Sequence, residues 1–281
     1  MLSITHLYIY PIKSLGGISV QQAIVTDRGF QYDRRWMLVN ENNYFLSQRD
    51  LPQMALLQVD LMSDGLKVYH KEKTHLQIKI PFYSELPETT EVGIWEEKCQ
   101  VQFVSKEADE WFTTMLAFKC RLVYMPESTN LLVDTDYANH QEINSLSDGY
   151  PFLVIGQSSL DYLNAKLSDP LPINRFRPNM VICGGDAHDE DLLEHFTINK
   201  IDFYGIKLCG RCMITTINQE NIQRSKEPLK TLATYRIKNN QIYFGQNLLH
   251  HGTGKISIGD ALEVIKFNPE KALHFANGRS I

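Results

Sequence analysis

The first hundred residues alternate between apolar and polar positions over short runs separated by turn residues, which is the pattern of half-buried β-strands. Leu7–Ile12 precedes a break at Gly16-Gly17, and alternation resumes over residues 18–25. Two turns, 41–43 and 63–65, each stand between apolar runs and predict hairpins. This part of the chain therefore reads as a series of short antiparallel strands.

Helical spacing first appears after Ser105, where apolar residues including Ala108 and Phe112 fall on one face. Ser158-x-x-Asp161 has the form of a capping box and predicts a second helix, and Pro228–Tyr235 predicts a short third one. Further strands are predicted over residues 180–182, 196–203, 213–217, 242–244 and 262–267. Because strands and helices do not alternate regularly, the pattern predicts an α+β fold that is rich in β-structure and barrel-like.

The polar, turn-rich stretch 126–151 interrupts this pattern. A loop of this length inside a compact protein usually connects domains or carries function. We therefore expect an N-terminal β-barrel-like domain over residues 1–125, a second domain over 126–270 and a tail over 271–281.

Composition narrows the class of protein. With 43% hydrophobic and 22% charged residues, the 281-residue chain is typical of globular proteins. A net charge of −5 gives no general attraction to nucleic acid or to anionic membranes, so any phosphate binding must be local. The five cysteines have no disulfide spacing, and no apolar window approaches the roughly 20 residues that span a bilayer. We expect a cytoplasmic protein without nucleic-acid or membrane partners.

Cys209-Gly210-Arg211-Cys212 places two thiols three residues apart with a cation between them. The β-branched run 213–217 predicts that the pair lies at the start of a strand. Thiolates are nucleophiles and soft metal ligands, and a neighbouring cation favours the thiolate. The pair could serve as a dithiol redox couple, half of a zinc site or a single thiolate ligand, or it could be buried as a reduced pair.

The remaining cysteines weaken the zinc interpretation, because Cys99, Cys120 and Cys183 are isolated and no His pair stands at ligand spacing nearby. A thioredoxin-like pair normally follows a strand and opens a helix. Here the run after Cys212 reads as a strand instead.

Several short segments combine cations with hydroxyl or amide groups, which suits phosphate binding. They are Lys13-Ser14, Arg34-Arg35 and the segment from Asn174 to Asn179. Each alone is typical of a solvated loop, but together they indicate an anion site.

Six motifs occur in a fixed order along the chain. They are Tyr10-Pro11-Ile12-Lys13-Ser14, Asp33-Arg34-Arg35-Trp36, Ser147-Asp148-Gly149-Tyr150-Pro151-Phe152, Asn174-Arg175-Phe176-Arg177-Pro178-Asn179, Cys209-Gly210-Arg211-Cys212 and Phe244-Gly245-Gln246-Asn247. This set resembles the MOSC superfamily with its N-terminal MOSC-type β-barrel domain, in particular the amidoxime-reducing members of mitochondria and bacteria. The resemblance extends from about residue 3 to residue 267.

The resemblance implies a molybdenum enzyme whose metal, carried by a pterin, is held by the thiolate of Cys212 in a cleft between the two halves. Its phosphate and pterin contacts carry over to residues scattered through both halves: Lys13, Ser14, Arg34, Tyr150, Arg177, Asn179 and Arg211. Some relatives carry small hydroxyl residues where this chain has Gly149-Tyr150, so backbone N–H groups are expected to make that contact.

The implied reaction is two-electron reduction of a small N-hydroxylated compound from N–OH to N–H, without pyridoxal phosphate. No cysteine follows Cys212, so we expect no C-terminal iron–sulfur domain and expect electrons from a separate ferredoxin or flavoprotein reductase. No N-terminal membrane anchor is expected. Two alternatives stay open: a molybdenum-cofactor carrier or sulfur-transfer module without its own turnover, and a thiol–disulfide protein that uses Cys209 and Cys212.

Overall fold

The computed structural model describes residues 1–83, 86–134, 136–138 and 141–273. These residues form 21 strands, three α-helices and five short 3-10 helices. The fold is β-rich α+β with barrel domains, as predicted from the sequence. Most of the predicted tail, from residue 274 onward, lies outside the described residues.

The strands of the first half are β1 (Ser3–Ile9), β2 (Ile18–Val20), β3 (Gln22–Thr26), β4 (Gly29–Phe30), β5 (Trp36–Val39), β6 (Leu57–Leu61), β7 (Gly65–His70), β8 (Gln77–Pro81), β9 (Thr89–Ile94), β10 (Glu97–Phe103) and β11 (Arg121–Tyr124). Those of the second half are β12 (Leu131–Leu132), β13 (Ile143–Asn144), β14 (Phe152–Gly156), β15 (Met180–Cys183), β16 (Leu193–Ile198), β17 (Ile201–Gly210), β18 (Ile237–Lys238), β19 (Gln241–His251), β20 (Gly254–Ser257) and β21 (Glu263–Phe267).

The α-helices are α1 (Lys106–Leu116), α2 (Gln157–Asn164) and α3 (Leu229–Leu232). The 3-10 helices are Pro52–Leu56, Ile173–Arg175, Asp189–Leu192, Met213–Thr216 and Pro269–Lys271. Within the described part of the chain, none of the helices has the length and apolar character needed to cross a bilayer.

The first strand of the chain belongs to the main sheet of the second half. β1 pairs antiparallel with β15, with Leu7 opposite Met180, and β15 pairs parallel with β14. β3 likewise pairs with β20, and Ile4, Leu7 and Val25 share a core with the β14–β17 strands. Residues 3–30 thus contribute strands to the sheets of the second half. The predicted domain boundary at residue 125 remains a proposal.

The rest of the first half builds two smaller sheets around its own apolar clusters. β5, β11, β10 and β9 form one sheet, and β6, β7 and β8 form the other. Helix α1 begins as predicted, because the Ser105 side chain accepts a hydrogen bond of 3.1 Å from the Ala108 N–H. Its buried face carries Ala108, Phe112 and Leu116. Both predicted hairpin turns are also confirmed: Val39 pairs with Phe45, and β6 pairs with β7.

Some local predictions are wrong. The predicted capping box fails because α2 begins at Gln157 and the Ser158 hydroxyl lies inside the helix, where it donates to the Gly185 carbonyl at 2.6 Å. The predicted strand 196–203 is a hairpin, since Asn199 and Lys200 have φ of 51° and 66° and turn the chain between β16 and β17. The polar stretch 126–151 contains the short β12–β13 ladder.

The Asp189–Leu192 turn buries two carboxyl groups beside one guanidinium. Arg236 donates to Asp191 at 2.6 Å, and Ser159 donates to Glu190 at 2.6 Å. Both carboxyls are about 1% exposed. Burial raises the pKa of Glu190 and of Asp191, and the mutual repulsion of the two carboxyls raises the pKa of Asp191 further, against the opposing effect of Arg236.

We predict that this pair makes the protein less stable as pH rises. An acid whose pKa is raised by folding contributes its full stability below its unfolded pKa of about 4 and loses that contribution as pH rises through its folded pKa. Glu190→Gln, which keeps a group for Ser159 to bond, should therefore flatten the decrease in unfolding free energy above pH 4. The decrease for one such proton is at most about 1.4 kcal/mol per pH unit. Urea unfolding at several pH values measures it.

The matched control is Glu97→Gln, because the Glu97 side chain is exposed. If the pH profile of Glu190→Gln runs parallel to those of the wild type and of this control, the Glu190–Asp191 pair does not cause the effect.

Candidate functional site

A cleft of about 390 Å³ lies between residues of the first half and residues of the second. Every residue predicted to contact a cofactor lines it: Lys13, Ser14, Arg34, Tyr150, Arg177, Asn179, Arg211 and Cys212. The structure thus brings together groups that are up to 199 positions apart in the sequence, from Lys13 to Cys212. Their roles toward a ligand remain a prediction.

Two guanidiniums approach the same buried ring. The guanidinium carbons of Arg34 and Arg177 each lie 4.4 Å from the centroid of Tyr10. The Tyr10 hydroxyl donates to the Pro178 carbonyl at 3.0 Å, and burial raises the pKa of this phenol, so it stays neutral. Burial, together with the charge of Arg34, lowers the pKa of Arg177 to about 10. An anion between the two guanidiniums would relieve this repulsion.

Asp33 and Asn179 hold Arg34 in position. Arg34 forms an ion pair with Asp33, and it donates to the Asn179 side-chain oxygen at 3.0 Å. The Asn179 amide nitrogen donates in turn to Asp33 at 3.0 Å and to the Tyr8 carbonyl at 3.3 Å. Asn179 is 1% exposed and its side chain is already hydrogen-bonded. This geometry favours a role for Asn179 in positioning the Arg34 side chain.

Backbone strain accompanies the predicted contacts. Ser14, Arg34 and Arg177 have φ of 69°, 49° and 55°, in the left-handed region that favours glycine. Such conformations persist only where the surrounding structure imposes them, and they concentrate at ligand-binding sites. Here they turn the side chains of three separate loops into one cleft.

Lys13 and Asp148 form a second charged group in the cleft. The Lys13 ammonium donates to Asp148 at 2.6 Å and to the Leu146 carbonyl at 2.9 Å. Burial lowers the pKa of Lys13, against the opposing effect of Asp148. Desolvation raises the pKa of Asp148, but the charge and hydrogen bond of Lys13 outweigh it, so the Asp148 pKa lies well below its usual range. Asp148 therefore stays ionised beside Lys13.

The two thiols of the Cys-x-x-Cys segment are free and face different guanidiniums. Arg211 donates to the Cys209 sulfur at 3.0 Å and to the Phe176 carbonyl at 2.6 Å. Arg49, from the first half of the chain, approaches the Cys212 sulfur at 3.4 Å. The Cys212 carbonyl accepts a hydrogen bond from the Thr215 hydroxyl at 2.9 Å, which fixes the backbone behind the thiol.

Comparison with known proteins matches this architecture to one family. Residues 1–119 match the MOSC N-terminal beta barrel domain, and residues 141–263 match the MOSC domain. Mitochondrial amidoxime-reducing component 1 of Mus musculus is 30% identical over 285 residues, which cover 94% of this chain and 82% of that protein. The chain belongs to the MOSC superfamily.

Two further relatives show the breadth of this superfamily. Mitochondrial amidoxime-reducing component 1 of Homo sapiens is 28% identical over 94% of this chain and 83% of its own length. The molybdenum cofactor sulfurase of Solanum lycopersicum is 30% identical over 90% of this chain, but only 34% of the sulfurase is covered. This MOSC chain thus spans about a third of the length of that sulfurase.

The local structure around the cysteines corrects one prediction. The pair does not open a strand: β17 ends at Gly210, and Met213–Thr216 forms a 3-10 helix. The buried Arg175 donates to the Thr215 carbonyl at 2.8 Å and so holds residues 213–216 against the loop that carries Arg175. This contact accounts for part of the difference from the predicted strand. The order is therefore strand, thiols, helix, so strand placement no longer argues against a dithiol couple.

Sequence reasoning missed several residues of the cleft. Three of them, Asp148, Arg175 and Asn247, lie within the six ordered motifs, so the motifs could have identified them as residues of the cleft. Gln48, Arg49, Trp95 and Lys207 also line the cleft, and no local pattern marks them. They reach it only through long-range packing.

We predict that the cleft of the cofactor-free protein binds inorganic phosphate through Arg34 and Arg177. Phosphate at ten times its Kd should stabilise the wild type by about 1.4 kcal/mol, and Arg177→Gln should abolish this stabilisation. Without phosphate the same variant should unfold at a higher temperature than the wild type, because it removes one of two like charges at Tyr10. Thermal unfolding with and without phosphate tests both effects.

Lys67→Gln, at an exposed ion pair with Asp60, controls for net charge. A phosphate response of Arg177→Gln equal to that of this control would contradict the prediction.

Proposed function

We propose that this MOSC protein is a molybdenum-cofactor-dependent reductase of small N-hydroxylated compounds. The observation that carries the proposal is the cationic cleft that contains a free thiol at Cys212 and two guanidiniums at Tyr10. The amidoxime-reducing relatives, which match nearly the whole chain, support it.

The residues of the cleft suit a phosphorylated, thiolate-bound cofactor. Among the described residues, the Arg177 guanidinium donates no hydrogen bond to protein, and the buried Nε of Arg211 has no partner. Such donors suit the phosphate and heteroatoms of a pterin cofactor. Arg34, Arg177 and Lys13 would neutralise its charge, and the Cys212 thiolate would be its metal ligand.

When bound, the cofactor would supply the two-electron chemistry that the side chains lack. The reaction consumes two electrons and two protons: the N–O bond breaks, one proton is added to the nitrogen and the other leaves with the hydroxyl as water. The protein's own contribution is to hold the thiolate through the Thr215–Cys212 contact and to keep the cleft positively charged. We propose that a separate ferredoxin or flavoprotein reductase supplies the electrons.

A carrier or sulfur-transfer function is the second candidate. The observation that favours it is the 30% identity with the tomato sulfurase over 90% of this chain, equal to the identity with the mouse reductase component. The strand–thiols–helix order keeps a dithiol function as a third candidate.

We predict that protein from a molybdenum-replete host contains near-stoichiometric molybdenum, that Cys212→Ala loses it and that Cys209→Ala keeps it. The reason is that one thiolate suffices as ligand and Cys209 is bonded to Arg211. Metal analysis of the three proteins measures this, and reduction of benzamidoxime by the loaded wild type with an artificial electron donor measures turnover.

Each candidate gives its own outcome. Molybdenum with turnover supports the reductase, and molybdenum without turnover supports the carrier. If molybdenum is absent while a control molybdoenzyme loads in the same host, both are wrong. Equal loss of function in the two cysteine variants would then identify the dithiol protein.

A further inference from the structure

Arg49 brings a cation from the first half of the chain to the reactive thiol. Its Nη2 lies 3.4 Å from the Cys212 sulfur, and within the described residues its guanidinium donates to no oxygen. The guanidiniums of Arg34 and Arg177 instead approach Tyr10. The cleft therefore has a further cationic position, at the Cys212 thiol, besides Lys13 and the two guanidiniums that suit a cofactor phosphate.

The Trp95 ring contacts this guanidinium. The guanidinium carbon of Arg49 lies over the ring, 4.3 Å from its centroid, in a cation–π contact. The indole N–H of Trp95 donates to Asp148 at 3.2 Å, and Asp148 is ion-paired with Lys13. Trp95 is thereby tied to a residue of the second half of the chain, and its ring limits the positions open to the Arg49 guanidinium.

The backbone at Trp95 is strained. Trp95 opens the two-residue connection between β9 and β10 with φ of 57°, a conformation that favours glycine or asparagine and is unusual for a bulky aromatic residue. The side chain is also 44% exposed. Burial of the ring therefore does not account for an indole at this position, whereas a role at the mouth of the cleft does.

We propose that the Arg49–Trp95 pair determines specificity by binding an anionic substituent, a carboxylate or a phosphate, on the N-hydroxylated substrate. The guanidinium offers a flat pair of N–H donors beside Cys212, and planar bidentate recognition is what arginine provides for such anions. This inference rests on the proposed reductase function and adds the charge class of its substrate.

The test compares benzamidoxime with its para-carboxylate on molybdenum-loaded protein. The wild type should show a kcat/KM about tenfold higher for the carboxylate, the size of one charge-assisted hydrogen bond. Arg49→Gln should remove this preference, mainly by raising KM for the carboxylate, while molybdenum content stays the same. Calorimetry with para-carboxybenzamidine, which cannot be reduced, should show binding about tenfold weaker in Arg49→Gln.

Two further variants complete the design. Arg224→Gln is the charge control. Arg224 lies outside the cleft and donates to the Arg49 carbonyl at 3.1 Å, so this variant removes an arginine next to Arg49 and should keep the preference. Trp95→Asn relieves the backbone strain, so it should reduce the preference without lowering the unfolding temperature.

Three outcomes would overturn this inference and leave the proposed function standing. They are equal kcat/KM for both substrates in the wild type, an equal loss of kcat/KM for both substrates in Arg49→Gln, and loss of molybdenum from that variant. Loss of the preference in Arg224→Gln would overturn it as well. If the loaded wild type reduces neither substrate, the proposed function fails and this inference fails with it.

Discussion

The approach of two guanidiniums to one buried tyrosine ring is the constraint on which the rest of the cleft depends. Arg34 and Arg177 lie at equal distances from Tyr10, and removing two like charges from water is costly unless counter-charges accompany them. Asp33 pairs with Arg34, but among the described residues Arg177 has no carboxylate partner. Burial therefore lowers the pKa of Arg177. The strained backbone at Ser14, Arg34 and Arg177 lowers stability, which is the cost expected if this arrangement is the preformed anion site that we propose. Preformed charge of this kind needs no reorganisation when a ligand arrives.

The cleft exists because the first strand pairs inside the sheet of the second half. The β1–β15 register places Leu7 opposite Met180, and the Tyr8 N–H donates to the Asn179 carbonyl at 2.9 Å. This pairing brings the residues just after β1, including Tyr10 and Lys13, to those just before β15. Two domains that merely touched could shift relative to each other, whereas a shared ladder fixes the site by backbone hydrogen bonds.

The sequence allowed prediction of those features that local patterns control. Alternation located the strands, Ser105 located the start of α1, and the ordered motifs located eight residues that all line the cleft. Features that depend on distant contacts were missed or wrong. Ser158 has the spacing of a cap but bonds to Gly185, and residues 213–216 have strand composition but coil into a 3-10 helix against Arg175. Arg49 and Trp95 carry no local signal, because tertiary packing alone brings them to each other and to Cys212 and Asp148.

The surroundings of the two thiols distinguish them where their spacing does not. A thioredoxin-like pair normally follows a strand and opens a helix, and here the four-residue 3-10 helix Met213–Thr216 follows the thiols. The lysines and arginines of the cleft would favour the thiolate in a redox pair as well as in a single metal ligand, so charge by itself does not separate the two functions. Arg211 already bonds to Cys209 and is anchored on the Phe176 carbonyl, so Cys209 is part of the wall. Cys212 instead meets a guanidinium from the other half of the chain, in the cleft itself. A redox pair needs both thiols to be available, whereas a single thiolate ligand needs only one. The different partners of Cys209 and Cys212 therefore favour the single thiolate over the redox pair.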